Sequence, residues 1–173
     1  TGSSAKSTTT LLLAHILAST GDVRAQAGYN GHRNVVRALL GLKPSDRFFV
    51  AEAAAGLQIS LARTGPLLRP DITLITMVAL EHRTHFRTLE AIGTEKGYLV
   101  EAIRPGGFAL LNADDPIVMA MRHRTNERIV TFGRRDQQAD YTVQEISCGL
   151  PGTLTLKVLW NGHSIGLRTR FSG

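Results

Sequence analysis

Thr1-Gly2-Ser3-Ser4-Ala5-Lys6-Ser7-Thr8 runs without interruption into Thr9-Thr10-Leu11-Leu12-Leu13-Ala14-His15-Ile16-Leu17. Small residues come first, then a lysine beside hydroxyl residues, then a segment of good helix formers. Small residues let backbone N–H groups converge on phosphate oxygens. A lysine can then reach the β- and γ-phosphates of a nucleotide, and the neighbouring hydroxyl can ligate Mg²⁺. The start of a helix adds its partial positive charge. Gly2, Ser3, Ser4, Ala5, Lys6, Ser7 and Thr8 are therefore the candidate nucleotide-binding residues. The plain alternative is a Ser/Thr-rich helix cap. The usual phosphate loop has glycine before the lysine, and this chain has Ala5, which should cost something where the backbone turns to positive φ.

Outward from the loop, the pattern predicts alternating helices and strands. Helices are expected over Lys6–Leu17, Asn34–Leu42, Gly56–Arg63, Arg87–Ile103 and Asp115–Arg122. The Arg87–Ile103 helix has Leu89, Ile92, Tyr98, Leu99 and Ile103 as apolar positions, and Pro105-Gly106-Gly107 ends it. Strands are expected over Phe48–Ala51, Ile72–Val78, Phe108–Asn112 and Ile129–Phe132. The first two are short continuous apolar runs, as in strands buried on both faces. After Asp140 the pattern changes. Tyr141–Ile146, Leu154–Trp160 and Ser164–Arg170 are separated only by short Gly/Pro/Asn turns, which reads as a β-meander. The expected fold class is α/β, a parallel phosphate-loop-type sheet flanked by helices with a C-terminal antiparallel meander. A phosphate loop normally follows a strand, whereas this sequence starts at the loop itself. The expectation is one domain over residues 1–173 from a longer polypeptide.

Composition narrows the function classes. Apolar residues make up 43% and charged residues 20%, which suits a globular domain with a full core. No apolar run approaches the ~20 residues of a membrane-spanning helix, and no secretory signal is visible. The single cysteine, Cys148, reads as a small buried hydrophobe and favours a reducing compartment, the cytoplasm. The net charge of +6 raises nucleic acid as a partner, with Arg122, His123, Arg124 and Arg128 clustered. Aromatic residues are only 6% and are not interleaved with the basic runs, so base stacking is not supported. A solvated basic face, or a funnel for anionic nucleotides, explains the charge more simply.

Several further stretches fall in order behind the loop. Thr1–Thr10 resembles the T-G-[ST]-x-G-K-[ST]-T-T-T loop of the Mur ligases. Val50-Ala51-Glu52 resembles the family's V-x-E at a strand end, and Met77–His82 resembles N-V-x-x-[ED]-H. Phe86, Leu89, Glu90 and Lys96 match the spacing of F-x-x-L-E-x-x-x-x-x-K, Leu111–Pro116 resembles the N-A-D-D segment, and Gly173 falls where the family's G-x-H-N begins. The resemblance covers essentially the whole chain and is to the family's central ATP-binding domain. Gly28–Asn34 and Leu68–Ile72 resemble the branch that adds D-alanyl-D-alanine to UDP-N-acetylmuramoyl-tripeptide. Departures are Ala5 for glycine, Met77 for asparagine, and Ala53-Ala54-Ala55-Gly56 for a more polar stretch.

The resemblance implies an ADP-forming carboxylate–amine ligase of peptidoglycan precursor synthesis that works through an acyl phosphate. It implies ATP and Mg²⁺, with a UDP-linked muramoyl peptide and an amino acid or dipeptide amine as substrates. Lys6 would act on the γ-phosphate, and Ser7 and Glu52 would hold Mg²⁺. A carboxylate at the end of a parallel strand sits where such sheets bind ligands. His82, also after a buried strand, would ligate a second Mg²⁺, and nearby His85 reads as an ordinary histidine. Lys96 would be carbamylated by CO₂ and would hold that second ion, although by its pattern alone it reads as a solvated helix-surface lysine. Asn112, Asp114 and Asp115 read as capping residues of a strand-to-helix turn. Two readings compete: another phosphate-loop ATPase or kinase, and a non-catalytic nucleotide-binding module.

Overall fold

A computed structural model describes residues 1–55, 61–80, 86, 88–149 and 152–170. Its elements, in order, are α1 (Lys6–Leu17), β1 (Val23–Gln26), α2 (His32–Leu40), β2 (Phe48–Ala51), α3 (Leu61–Leu68), β3 (Ile72–Ile75), α4 (Leu89–Glu101), β4 (Phe108–Asn112), α5 (Pro116–Ala120), a 3₁₀ turn (Met121–Arg124), β5 (Arg128–Gly133), β6 (Tyr141–Gly149), β7 (Thr153–Trp160) and β8 (His163–Arg170). β1 and β2 pair in parallel as one small sheet, and β3 to β8 form a second sheet in sequence order. Within the larger sheet, β3, β4 and β5 are parallel. β6 joins β5 through two parallel pairs, Phe132 with Tyr141 and Gly133 with Thr142, and then turns antiparallel to β7. The expected change of pattern after Asp140 is thus a change from parallel to antiparallel pairing. Asn161 and Gly162 both take positive φ at the β7–β8 turn, the backbone that a tight hairpin needs.

β1 is an addition to the sequence reading. Val-Arg-Ala-Gln has no apolar run and no clean alternation, so propensity alone reads it as loop. Its partner is the apolar β2, with Val23 beside Phe48 and Gln26 beside Ala51. Pairing to a good strand overrides its weak local preference. Other boundaries move too: β3 ends at Ile75 and not at Val78, α2 runs His32–Leu40 and not Asn34–Leu42, and two helices start at a cap. Thr88 accepts from the Ala91 amide, so α4 starts at Leu89 and not at Arg87. Asp115 accepts from the Ile117 and Val118 amides ahead of Pro116, so α5 starts after it and ends in the 3₁₀ turn. The expected helix from Gly56 falls partly outside the described residues. Cys148, expected to be buried, is exposed, because β6 lies in the outer antiparallel part of the sheet.

The core lies between β3–β4 and the helices α4 and α5. Ile75, Val78, Ile92, Val100, Ile103, Ala109, Leu111, Val118 and Met121 form its main cluster. A second cluster of Ala53, Ala55, Leu61 and Leu99 joins α3 and α4 to the end of β2. Helix α4 therefore packs on two sides, and Gly65 lets α3 approach it: a Cβ there would lie 2.7 Å from the Ala102 methyl. The core-facing stripe of α4 runs Ile92–Lys96–Leu99, the i, i+3, i+4 rows of one helix face. Lys96 thereby becomes fully buried, at 0% exposure. This overturns the reading of Lys96 as a helix-surface lysine.

Candidate functional site

Residues 1–5 are laid along the C-terminal end of β3. The Thr1 nitrogen donates to Leu74 O at 2.8 Å, and Thr76 N donates to Thr1 O at 3.0 Å. Ser3 N donates to Met77 O at 2.8 Å. The Ser3 hydroxyl donates to Ala79 O at 3.1 Å and accepts from Ala79 N at 2.9 Å. Thr76 Oγ1 donates to Ser4 O at 2.7 Å. Gly2 is required by this close approach, since a Cβ there would fall 1.8 Å from Thr76 Oγ1. The end of β3 is itself anchored: Val78 N donates to Asp115 and Asn112 Nδ2 donates to Thr76 O, at 2.7 and 2.8 Å. Asp114 accepts from the amides of Arg134, Arg135 and Asp136. Asp115 thus caps α5, as the capping reading holds, whereas Asn112 ties to the end of β3 and Asp114 to the segment after β5.

At Ala5 the chain turns to φ 59°, ψ 15° and enters α1, with no side-chain cap on the helix. An uncapped helix start leaves first-turn amides for a ligand. No acidic side chain sits in that first turn. Ser4, Ala5 and Thr8 are exposed, and Lys6 and Ser7 are half-buried. The left-handed backbone at position 5 is what glycine supplies in the usual loop. Alanine holds the same conformation here at a cost.

Opposite the loop stands Glu52, just past the end of β2 and only 2% exposed. Ser7 Oγ donates to its Oε2 at 2.6 Å, Gly28 N to the same oxygen at 2.8 Å, and Asn30 Nδ2 to Oε1 at 2.6 Å. Burial pushes the Glu52 pKa up and is the largest single influence. The Gly28, Ser7 and Asn30 hydrogen bonds and the charge of Lys6 together outweigh it, so the carboxyl is held below its ordinary value. An ionised carboxylate beside a serine hydroxyl at a helix start is a hard-oxygen donor pair that suits a magnesium ion. Ser7, Glu52 and Lys6 are thus brought together as the sequence reading proposed. Gly28 and Asn30 were not singled out as site residues. Their link to Glu52 spans more than twenty positions, and only the Gly/Asn character of the stretch hinted at a turn.

Lys96 lies on α4 with its side chain fully buried. His82 and His85 lie outside the described residues. Among the described residues, no group of three or more His, Cys, Asp or Glu side chains could hold a metal ion. Arg124, counted in the basic cluster, is engaged in the fold: its Nε donates to Glu101 and its guanidinium lies 4.8 Å from the Tyr98 ring centroid. No helix among the described residues is long and apolar enough to cross a membrane.

The Mur ligase middle domain matches this chain over residues 1–173. UDP-N-acetylmuramoyl-tripeptide--D-alanyl-D-alanine ligase of Mycobacterium tuberculosis strain H37Rv is 33% identical over 135 residues, which are 78% of this chain and 26% of that protein. The ligase of the same name from Escherichia coli K12 is 30% identical over 155 residues, 88% of this chain and 34% of that protein. The crystal structure of MurF from Acinetobacter baumannii superposes with a TM-score of 0.89 at 25% identity, covering 99% of this chain and 38% of that one. The chain thus spans 26% to 38% of the length of these relatives. The chain belongs to the Mur ligase family, matching its middle domain over the chain's whole length.

Proposed function

We propose that this domain binds ATP with magnesium and forms the phosphoryl-transfer part of a cytoplasmic, ADP-forming carboxylate–amine ligase of peptidoglycan precursor synthesis. The observation that carries the reading is the Ser7–Glu52 pair, a hydroxyl in the first turn of α1 donating at 2.6 Å to a buried, ionised carboxylate. The pair is proposed to face the β- and γ-phosphates of a loop-bound nucleotide. In this reading the loop amides and the Lys6 ammonium neutralise phosphate charge, and Ser7 and Glu52 hold the ion. Magnesium, when bound, offsets the negative charge of the phosphates during transfer. An oxygen of the substrate carboxylate attacks the γ-phosphorus, the bond to the β-phosphate oxygen breaks, and ADP leaves. The amine nitrogen then attacks the acyl carbon, loses a proton, and phosphate departs as the amide forms.

Lys96 and His82 are proposed to serve a second magnesium ion. Complete burial of the Lys96 side chain favours a neutral amine, because desolvation disfavours an ammonium. Nζ of the neutral form attacks CO₂, an N–C bond forms and a proton is released, leaving a carbamate anion. The proposed substrates are a UDP-linked muramoyl peptide carboxylate and an amino acid or D-alanyl-D-alanine amine, as the named relatives suggest. The test is ADP release by the full chain. Release that needs both a carboxylate and an amine is expected. Release with a hydroxyl acceptor alone would make it a kinase, release with water alone an ATPase, and nucleotide binding without turnover a binding module.

A further inference from the structure

Each oxygen of the buried Glu52 carboxylate has its own partner. Oε2 takes the Ser7 hydroxyl and the Gly28 amide, whereas Oε1 takes Asn30 Nδ2 at 2.6 Å. We propose that Asn30 is a positioning residue of the magnesium site, fixing the rotation of the Glu52 carboxylate so that Oε2 stays turned toward Ser7. This rests on the reading of Ser7 and Glu52 as the pair that holds the ion. The terminal torsion of a glutamate is broad and two-fold. With the Gly28 amide alone, the carboxylate plane can tilt away from Ser7. A second donor on the other oxygen removes that freedom.

Both ends of the contact are firmly mounted. Glu52 N donates to Gln26 O at 2.8 Å, which continues the β1–β2 pairing by one more rung. Asn30 O accepts from Ala54 N at 3.3 Å, which ties the 27–31 turn to the segment after Glu52. Gln26 Nε2 donates to Tyr29 O across the same turn. The turn that leads to α2 is therefore built onto the two strand ends, with the Asn30 amide aimed at the carboxylate. An amide is the group that fits: aspartate there would set a second negative charge against Glu52, and alanine would leave Oε1 without this donor.

The experiment is titration of the full chain with a fluorescent ADP analogue, once with magnesium and once with EDTA, beside a thermal melt. Wild type is expected to bind more tightly with magnesium. Asn30→Asp is expected to lose about tenfold of that magnesium-dependent gain, the scale of one hydrogen bond to a charged group. Its affinity in EDTA should stay at the wild-type value, and its melting temperature should fall, because the new carboxylate stands against buried Glu52. Asn30→Ala answers the same question if the aspartate variant does not fold, because it removes the donor without adding charge. An intact magnesium-dependent gain in the variant overturns the proposal. So does an equal loss with and without magnesium, which is the signature of a purely structural asparagine. Wild-type binding that ignores magnesium would instead remove the reading of Ser7 and Glu52 on which the proposal rests.

Discussion

Alanine at position 5 holds a left-handed backbone, φ 59°, at the point where the loop becomes α1. An L-residue in that region carries a penalty of about 1 kcal/mol. Ala5→Gly should therefore raise the unfolding free energy by about 1 kcal/mol and tighten nucleotide binding, read by urea denaturation and a nucleotide titration. Equal or weaker binding would count against the loop geometry. Lys96 poses a different question, since it is fully buried. Lys96→Met keeps most of the volume and removes the amine. The full chain should keep its melting temperature or gain, and should lose ligase activity and the ¹³C carbamate signal expected in labelled bicarbonate. A wild-type rate in that variant would reject the carbamate. Glu52 adds a pH dependence. Its folded pKa lies below its ordinary value, so its stabilising contribution is complete above that ordinary value and is lost as pH falls through the folded one. Glu52→Gln should flatten the acid limb of stability against pH in denaturant titrations, and an unchanged slope would show that Glu52 does not carry it. Lys6, Ser7 and Glu52 were readable in the sequence because each sits in a local pattern with a chemical reason. The burial of Lys96 was not readable from its type, because a lysine in a core-facing row looks like any helix lysine until the row is packed.

Elements were legible where an apolar run or a breaker marks them. β2, β4 and α1 fall within the expected bounds, and Pro105-Gly106-Gly107 follows α4 as expected. β1 was missed because its strand character comes from its neighbour β2, not from its own residues. The starts of α4 and α5 moved because a side chain supplies a cap. Asp115 shows how much such a cap can join. One carboxylate oxygen accepts from Ile117 N at 2.9 Å and Val118 N at 3.1 Å, and the other from Val78 N at 2.7 Å. The first pair starts α5, and the last holds the end of β3 beneath the loop. Asp115→Ala should cost about 2–4 kcal/mol, a lost cap plus a stranded amide at Val78. Asp115→Asn should recover part of that, because its carbonyl oxygen can still cap. A cost under 1 kcal/mol for the alanine variant, by denaturant unfolding, would show that β3 is held by other contacts.

Across the whole molecule, stability is distributed unevenly. The buried clusters draw on β3, β4, α3, α4 and α5, with Ile92, Val100, Ala109, Leu111 and Val118 all at 0% exposure. The outer meander contributes little to them: Ile146, Trp160, Ile165 and Leu167 are 38–45% exposed. Among the described residues, its strand pairing to the parallel strands runs through Phe132–Tyr141 and Gly133–Thr142. The change from parallel to antiparallel strands was legible in the sequence, because short Gly/Pro/Asn turns leave no room for crossover helices. The thinness of that junction was not, since it depends on how far two distant strands run side by side. Amides protected by a buried cluster open only with the whole fold, whereas those of a sparsely packed edge open locally at lower free energy. Hydrogen exchange of these 173 residues should therefore divide the single large sheet. Amides of β4, at Ala109 and Leu111, should exchange at the global unfolding rate. Those of β8, at Ile165 and Leu167, should exchange far faster, and β6 and β7 should lie between. Denaturant should speed β4 exchange steeply and β8 exchange only slightly, because local opening exposes little surface. Equal protection and equal denaturant dependence in β4 and β8 would mean that the meander unfolds with the core. The two shared pairs between β5 and β6 would then couple the halves more strongly than their number suggests.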